Sequence, residues 1–216
     1  MADDSLKNEE VKSFIAALSE IIEDLERELS IPAGFFVSLR KEQSDWAFIV
    51  KLHALFEAAI THLLVHYFGE EQLESIFTNL QMSDMKVGKI AFINKLKLLE
   101  SEDISFIRVL SEIRNQYTHM IRNINMPLTD IINRLPKDRL QIIARKPAFV
   151  DDKESLKVKN NPRIYIFTTA LSILPKIYFK KEDAKTKRDL LEKQRQIGED
   201  FERLFLIADG NKSDTT

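Results

Sequence analysis

The sequence contains no cysteine and only four histidines, five glycines and six prolines in 216 residues. Without cysteine the chain can form no disulfide, no thiolate metal ligand and no cysteine nucleophile. Four scattered histidines are few for a metal site, and no glycine-rich phosphate loop or Walker, Rossmann or zinc motif is present. We therefore expect no cofactor, no metal and a cytoplasmic location.

The balance of charge and hydropathy limits how the chain could bind nucleic acid or a membrane. The formal net charge is −2 at pH 7, so RNA or DNA would have to bind through a local basic patch. No helix-turn-helix with a basic recognition helix is recognisable, and we expect no sequence-specific reading of DNA. The acidic N-terminus lacks an apolar signal region, and no stretch reaches the roughly 18 uninterrupted apolar residues that span a bilayer. These features predict a soluble intracellular protein without a membrane partner.

Apolar residues recur mostly at helical spacing, which predicts an all-α fold. Ser44 is the expected N-cap of a helix that is apolar almost all round and ends at Gly69, so this helix should be central. The segment 31–36, which carries Pro32 and Gly34, separates this helix from the one before it. The predicted helices cover 5–29, 45–67, 70–80, a stretch capped by Ser83 and Asp84, 101–126, one or two short helices within 128–145, 163–179 and 182–207.

Three regions follow from this pattern. Residues 1–145 form a helical bundle, and residues 146–162, which lack periodicity, form a flexible connection. Residues 163–216 form C-terminal helices that pack on the bundle or on a second subunit. For 163–179 a strand is the alternative, although length and lack of alternation favour a buried helix kinked at Pro175.

The candidate catalytic residues lie in the segment Arg114–His119 (RNQYTH). His119 could take a proton from a ribose 2′-hydroxyl or protonate the leaving 5′-oxygen, while Arg114 neutralises charge on the phosphate and Asn115 orients either group. On a straight helix Arg114 and His119 lie about 140° apart, so convergence requires a distorted helix, the reach of Arg114 or a second copy. The alternative is two unrelated surface side chains. Tyr117 falls in the apolar seam, which favours core packing over stacking on a base.

The central helix carries a second polar stripe, formed by His53, Glu57 and Thr61 at steps of four residues. One interpretation is that this stripe is solvated or is a satisfied core pair. The other is that Glu57 points into the same cavity as Arg114 and His119.

The chain thus has an apolar helix with an internal acid (HALFEAAITHLLVHYF), a Lys/Leu-rich helical stretch (KIAFINKLKLLESEDISFIRVLSEI) and a helix that ends in RNQYTH. In this order and spacing, the segment Trp46–His119 resembles the HEPN superfamily, especially the branch that includes the mannitol operon repressor. The resemblance implies a HEPN-like antiparallel helical bundle with additional C-terminal helices. Arg114, Asn115 and His119 match the R-N-x-x-x-H motif of that superfamily, and Glu57 matches its helix acid.

For members that retain the motif, the resemblance implies metal-independent ribonuclease activity at sites built on a dimer interface. We therefore expect a homodimeric endoribonuclease, as a toxin or phage-defence effector, with RNA as its partner. Some HEPN toxins carry a modifiable tyrosine where this chain has Ile121, so that mode of control is not expected. Many members bind without cleaving, and the chain after Lys146 has no counterpart in a minimal HEPN domain. The alternatives are a non-catalytic regulator resembling the mannitol operon repressor, and an immunity or antitoxin protein that docks through its C-terminal helix.

Overall fold

In the computed structural model, the described residues are 19–20, 22–27, 29–119, 121–144 and 152–210, with the backbone alone for 121, 152–155 and 198–210. Every regular element in these ranges is helical, which confirms the predicted all-α class. Short 3-10 turns occupy Glu71–Leu73 and Ile121–Asn123. The α-helices are Phe35–Arg40 (α1), Asp45–Phe68 (α2), Glu74–Asn79 (α3), Lys89–Lys95 (α4), Ser101–Thr118 (α5), Leu128–Asn133 (α6), Lys137–Ala144 (α7), Asp152–Asn160 (α8) and Pro162–Gly210 (α9).

Helix α2 is the centre of the molecule. It begins where the Ser44 hydroxyl accepts a hydrogen bond from the Ala47 N–H at 3.2 Å, and it ends at Gly69, whose φ of 75° suits a glycine. By length and hydropathy α2 is also long and apolar enough to cross a membrane. The rest of the chain buries 67% of its most apolar 18-residue stretch. Burial on nearly all sides is what the apolar pattern of this helix predicts.

Two further long helices pack against α2 in opposite directions. Helix α5 is antiparallel to it, since His53 hydrogen-bonds to Ser111 while Phe56 packs on Phe106. Helix α9 is parallel to α2: it begins with an ion pair between Arg163 and Asp45 at 3.3 Å and later carries the Arg188 side chain past Gly69.

A single apolar core runs through these helices, from Leu25 to Ile177. The first half of α9 belongs to it, because Ile166, Ile173 and Leu174 are buried there. Residues 163–179 are therefore helical, as the favoured interpretation has it, and not a strand, and their buried side chains pack on the bundle. The predicted helices 163–179 and 182–207 are one continuous helix with Pro175 inside it.

The motif helix is shorter than the apolar pattern predicts. It ends at Thr118 and not at Pro127, and the 3-10 turn Ile121–Asn123 follows. Ile124, expected in the apolar seam, is 38% exposed, and Met120 lies outside the described residues. The acid Asp103 in the first turn of α5 is fully buried and pairs with Lys176 of α9 at 3.1 Å.

Other boundaries also differ from the sequence predictions. The predicted flexible connection over 146–162 is helical at Asp152–Asn160, and 146–151 lie outside the described residues. Asp84 does not cap α4, because its side chain instead accepts hydrogen bonds from the Lys86 and Val87 N–H groups, and Gly88 precedes the helix. Of the predicted helix 5–29, the described residues 19–20 and 22–27 are helical, and Leu29 lies in a turn. The expected break over 31–36 includes the start of α1, whose Phe36 N–H donates to the buried Glu26 carboxylate at 3.1 Å.

Candidate functional site

The four predicted site residues line one cavity of about 370 Å³, called the motif cavity below. It lies where the C-terminal end of α5 faces the middle of α2 and the loop after α3. Its walls are mainly polar: His53, Glu57, Thr78, Asn79, Leu80, Gln81, Met82, Ser83, Ser111, Arg114, Asn115 and His119. The predicted pairing of a helix acid with the R-N-x-x-x-H segment is therefore present within one chain.

Arg114 joins this cavity by the reach of its side chain. Its Nη1 donates a hydrogen bond to the Asn115 side-chain oxygen at 2.9 Å, which draws the guanidinium around the helix toward the face of Asn115. His119 is the C-cap residue of α5 and keeps near-helical angles (φ −81°, ψ −14°), with its N–H donating to the Asn115 carbonyl. Because Asn115 and His119 are four residues apart, they share one face without any distortion of the helix. Within one chain, Arg114 and His119 therefore line the same cavity without distortion of the helix.

Glu57 is held at the cavity by a buried lysine. Lys89 Nζ lies 3.1 Å from Glu57 Oε1 and 3.4 Å from the Thr78 carbonyl oxygen, to both of which it donates. The Lys89 side chain is 1% exposed and that of Glu57 is 33% exposed. A buried ammonium needs an anionic partner, so this pair fixes the carboxylate while leaving part of it accessible to a ligand. Glu57 therefore lines the same cavity as Arg114 and His119, which is the second of the two interpretations of the polar stripe.

His53 and Ser111 form the floor of the cavity. The His53 Nε2 and Ser111 Oγ atoms are 3.0 Å apart, and both residues are buried. Burial, followed by the nearby positive charge of Arg114, lowers the pKa of His53 to about 4, while Glu57 acts in the opposite direction. His53 is thus neutral near pH 7. The exposed imidazole of the motif cavity is that of His119.

The loop that faces α5 is fixed by backbone bonds to the start of α4. The N–H groups of Lys89 and Ile90 donate to the carbonyl oxygens of Gln81 and Met82 at 3.0 and 3.1 Å. A Cβ at Gly88 would overlap the carbonyl oxygens of Gln81 and Asp84. The absence of a side chain at Gly88 therefore lets this wall of the cavity fold back onto α4.

Tyr117, inside the motif, has a structural position. It is 1% exposed, and its hydroxyl donates to the Met126 carbonyl oxygen at 3.0 Å. Burial, reinforced by Asp45, raises the pKa of this hydroxyl, so Tyr117 stays neutral. Core packing was the favoured interpretation of the sequence, and the structure agrees with it.

Sequence reasoning did not identify Lys89 and Ser111 as part of the site. Nothing in the local pattern around Lys89 distinguishes a buried lysine from a surface one, since its partner is 32 residues away on another helix. His53 was placed in the same stripe as Glu57, and its spacing of four residues was the available signal. Comparison of the chain with protein-family models, characterised proteins and solved structures finds no match.

Chemically, the motif cavity combines a permanent cation, a carboxylate, an imidazole open to solvent and several amide and hydroxyl groups. An arginine can stabilise charge that builds on a phosphoryl oxygen, and an imidazole can move protons near neutral pH. Such a set suits acid–base chemistry on a phosphate ester.

Proposed function

We propose that the protein is a metal-independent endoribonuclease of HEPN type. The single observation that carries this proposal is the convergence of Arg114, Asn115, His119 and Glu57 on one cavity. The same four positions correspond to the motif and the helix acid of the superfamily that the sequence resembles. The hydrogen bond from Arg114 to the Asn115 side chain places the guanidinium beside another residue that lines the same cavity, which supports the proposal.

In the proposed reaction the ribose 2′-oxygen attacks the adjacent phosphorus and the bond to the 5′-oxygen breaks. The products are a 2′,3′-cyclic phosphate and a free 5′-hydroxyl, so one proton leaves the 2′-oxygen and one reaches the 5′-oxygen. His119 carries one of these protons. Arg114 neutralises the charge on the non-bridging oxygens, and Asn115 holds the guanidinium in place.

Glu57 has two roles open to it. Its partly exposed carboxylate could accept the proton of the 2′-hydroxyl while His119 protonates the leaving 5′-oxygen, or it could orient a ribose hydroxyl by accepting a hydrogen bond. Lys89 acts through Glu57, as a positioning residue. In keeping with the resemblance, we propose that the active form is a cytoplasmic homodimer and that the enzyme serves as a toxin or in defence against phage.

The test is cleavage of single-stranded RNA by purified protein in EDTA. Arg114→Gln and His119→Gln should each lower the rate by about 100-fold or more, with unchanged circular dichroism. Arg108→Gln on the same helix and His66→Gln on α2 are the matched controls, because neither residue lines the motif cavity. Activity that survives both cavity substitutions contradicts the proposal.

A second candidate function is a non-catalytic regulator or an immunity or antitoxin protein that binds another protein. The observation that favours it is the distal part of α9, where Leu190, Leu191 and Ile197 are each more than half exposed. Several exposed apolar side chains on one part of a helix are typical of a docking surface. A stoichiometric partner that is lost on truncation before Glu182, together with no RNA cleavage, would support this function over the first.

A further inference from the structure

A second cavity adjoins the motif cavity on the other side of the motif residues. It has a volume of about 590 Å³ and shares Asn115 and His119 with the motif cavity. Its remaining walls include Arg122 and Arg134, and it is called the arginine groove below. The imidazole of His119 therefore stands between a mainly polar cavity and a groove with two permanent cations.

The arginine groove is held in shape by the motif helix itself. The Asn123 side-chain amide, which is buried, donates to the Gln116 carbonyl oxygen at 2.6 Å. The Tyr117 hydroxyl donates to the Met126 carbonyl oxygen at 3.0 Å. These two bonds tie the segment that carries Arg122 to the last turn of α5. The middle positions of the RNQYTH segment thus support the groove, while its ends line the motif cavity.

Arg134 reaches the groove from a different element. It is the C-cap residue of α6, whose Ile131 and Ile132 are fully buried. The backbone of Arg134 is therefore anchored by the core, while the residue itself is exposed. A guanidinium on a fixed backbone position suits binding of a phosphate.

We propose that the arginine groove binds the phosphate next to the scissile one, so that single-stranded RNA runs across both cavities with His119 at the cleaved bond. This inference rests on the proposed ribonuclease function and specifies its substrate. An RNA strand carries one negative charge per nucleotide, and a site that holds one phosphodiester must accommodate the neighbouring nucleotides as well. Arginine side chains along such a path are the usual means of following the backbone.

The test compares a dinucleoside monophosphate with the same compound bearing an additional 5′- or 3′-phosphate, all in EDTA. In the wild-type protein one of the two added phosphates should raise kcat/KM roughly tenfold, mainly through KM, as expected for a charge-assisted contact. In Arg134→Gln the ratio of the two kcat/KM values should fall close to one. The control is Arg195→Gln, an exposed arginine that lines neither cavity, and it should keep the wild-type ratio. Equal ratios in wild type and Arg134→Gln overturn the inference.

A binding measurement separates this inference from the ribonuclease proposal. A 2′-O-methyl oligonucleotide cannot be cleaved by attack of the 2′-oxygen, and its affinity can be measured at several salt concentrations. Loss of one phosphate contact in Arg134→Gln should reduce the slope of log K against log salt by about 0.7. A reduced slope in a protein that cleaves no RNA would keep the arginine groove as a site for an RNA phosphate and would end the nuclease proposal. Cleavage of RNA with an unchanged slope in Arg134→Gln would support the nuclease proposal and overturn the inference about the arginine groove.

Discussion

The ion pair between Lys89 and Glu57 leads to an asymmetric prediction for stability. Glu57→Gln leaves a charged ammonium almost completely buried without its anion, whereas Lys89→Met leaves a carboxylate that water already reaches. Both substitutions break the same interaction and preserve the approximate shape of the side chain. Only the first, however, strands a charge in the interior, so we expect Glu57→Gln to be the more destabilising.

The distance between the two charged groups and their burial give the size of the expected loss of stability. Opposite charges 3.1 Å apart attract by about 5 kcal/mol at an effective dielectric constant of about 20, before the cost of desolvation is subtracted. Removing one partner of a buried pair typically costs about 3 kcal/mol, and we expect this loss for Glu57→Gln. For Lys89→Met we expect about 1 kcal/mol, because the lysine stem is replaced by an apolar chain of similar length. The double variant should be close to Lys89→Met alone.

The assay is urea unfolding at pH 7 followed by far-UV circular dichroism. The matched control is the pair of Lys51 and Glu42, which is more exposed on the lysine side. There Glu42→Gln and Lys51→Met should each lower the free energy of unfolding by far less than Glu57→Gln does, with no consistent order. Equal losses for Glu57→Gln and Lys89→Met, or a larger loss for Lys89→Met, would refute the reasoning.

Two further predictions concern His53 and Gly88. The pKa of His53 is lowered to about 4 in the folded protein, so its contribution to stability is complete above the unfolded value of about 6.5 and is lost as pH falls toward 4. Thermal unfolding between pH 7 and pH 4 should show a loss of at most about 3 kcal/mol from this group, and His53→Gln should reduce the pH dependence. Gly88→Ala should cost about 2 kcal/mol or more through overlap with backbone oxygens. Gly34→Ala, with open space around its Cβ and φ of 78°, should cost only about 1 kcal/mol; equal urea midpoints for the two variants would contradict this explanation.

Local signals in the sequence predicted the elements that carry the candidate site. Ser44 and Gly69 bound α2 as expected, since a side-chain cap and a left-handed glycine act within a few residues. The motif residues and Glu57 were identified from their spacing and from the family resemblance. Their convergence could not be derived, because it depends on the path of the Arg114 side chain.

The features that were missed depend on contacts between distant segments. Residues 152–160 are polar and aperiodic, yet they are helical, and Val158 is buried in the core. Helix α9 continues through Pro175 while Ile173, Leu174 and Ile177 are buried around it. Tertiary packing of this kind offsets the hydrogen bond that a proline removes. The burial of Lys89 follows equally from the placement of α4 against α2.

The most direct test of the proposed chemistry is the identity of the RNA ends that the protein produces in EDTA, determined by mass spectrometry. Attack by the 2′-oxygen with His119 and Arg114 at the same phosphate predicts 2′,3′-cyclic phosphate and 5′-hydroxyl ends, and a 2′-O-methyl group at the cleaved nucleotide should block the reaction. Products with 3′-hydroxyl and 5′-phosphate ends, or cleavage unaffected by the 2′-O-methyl group, would contradict the account.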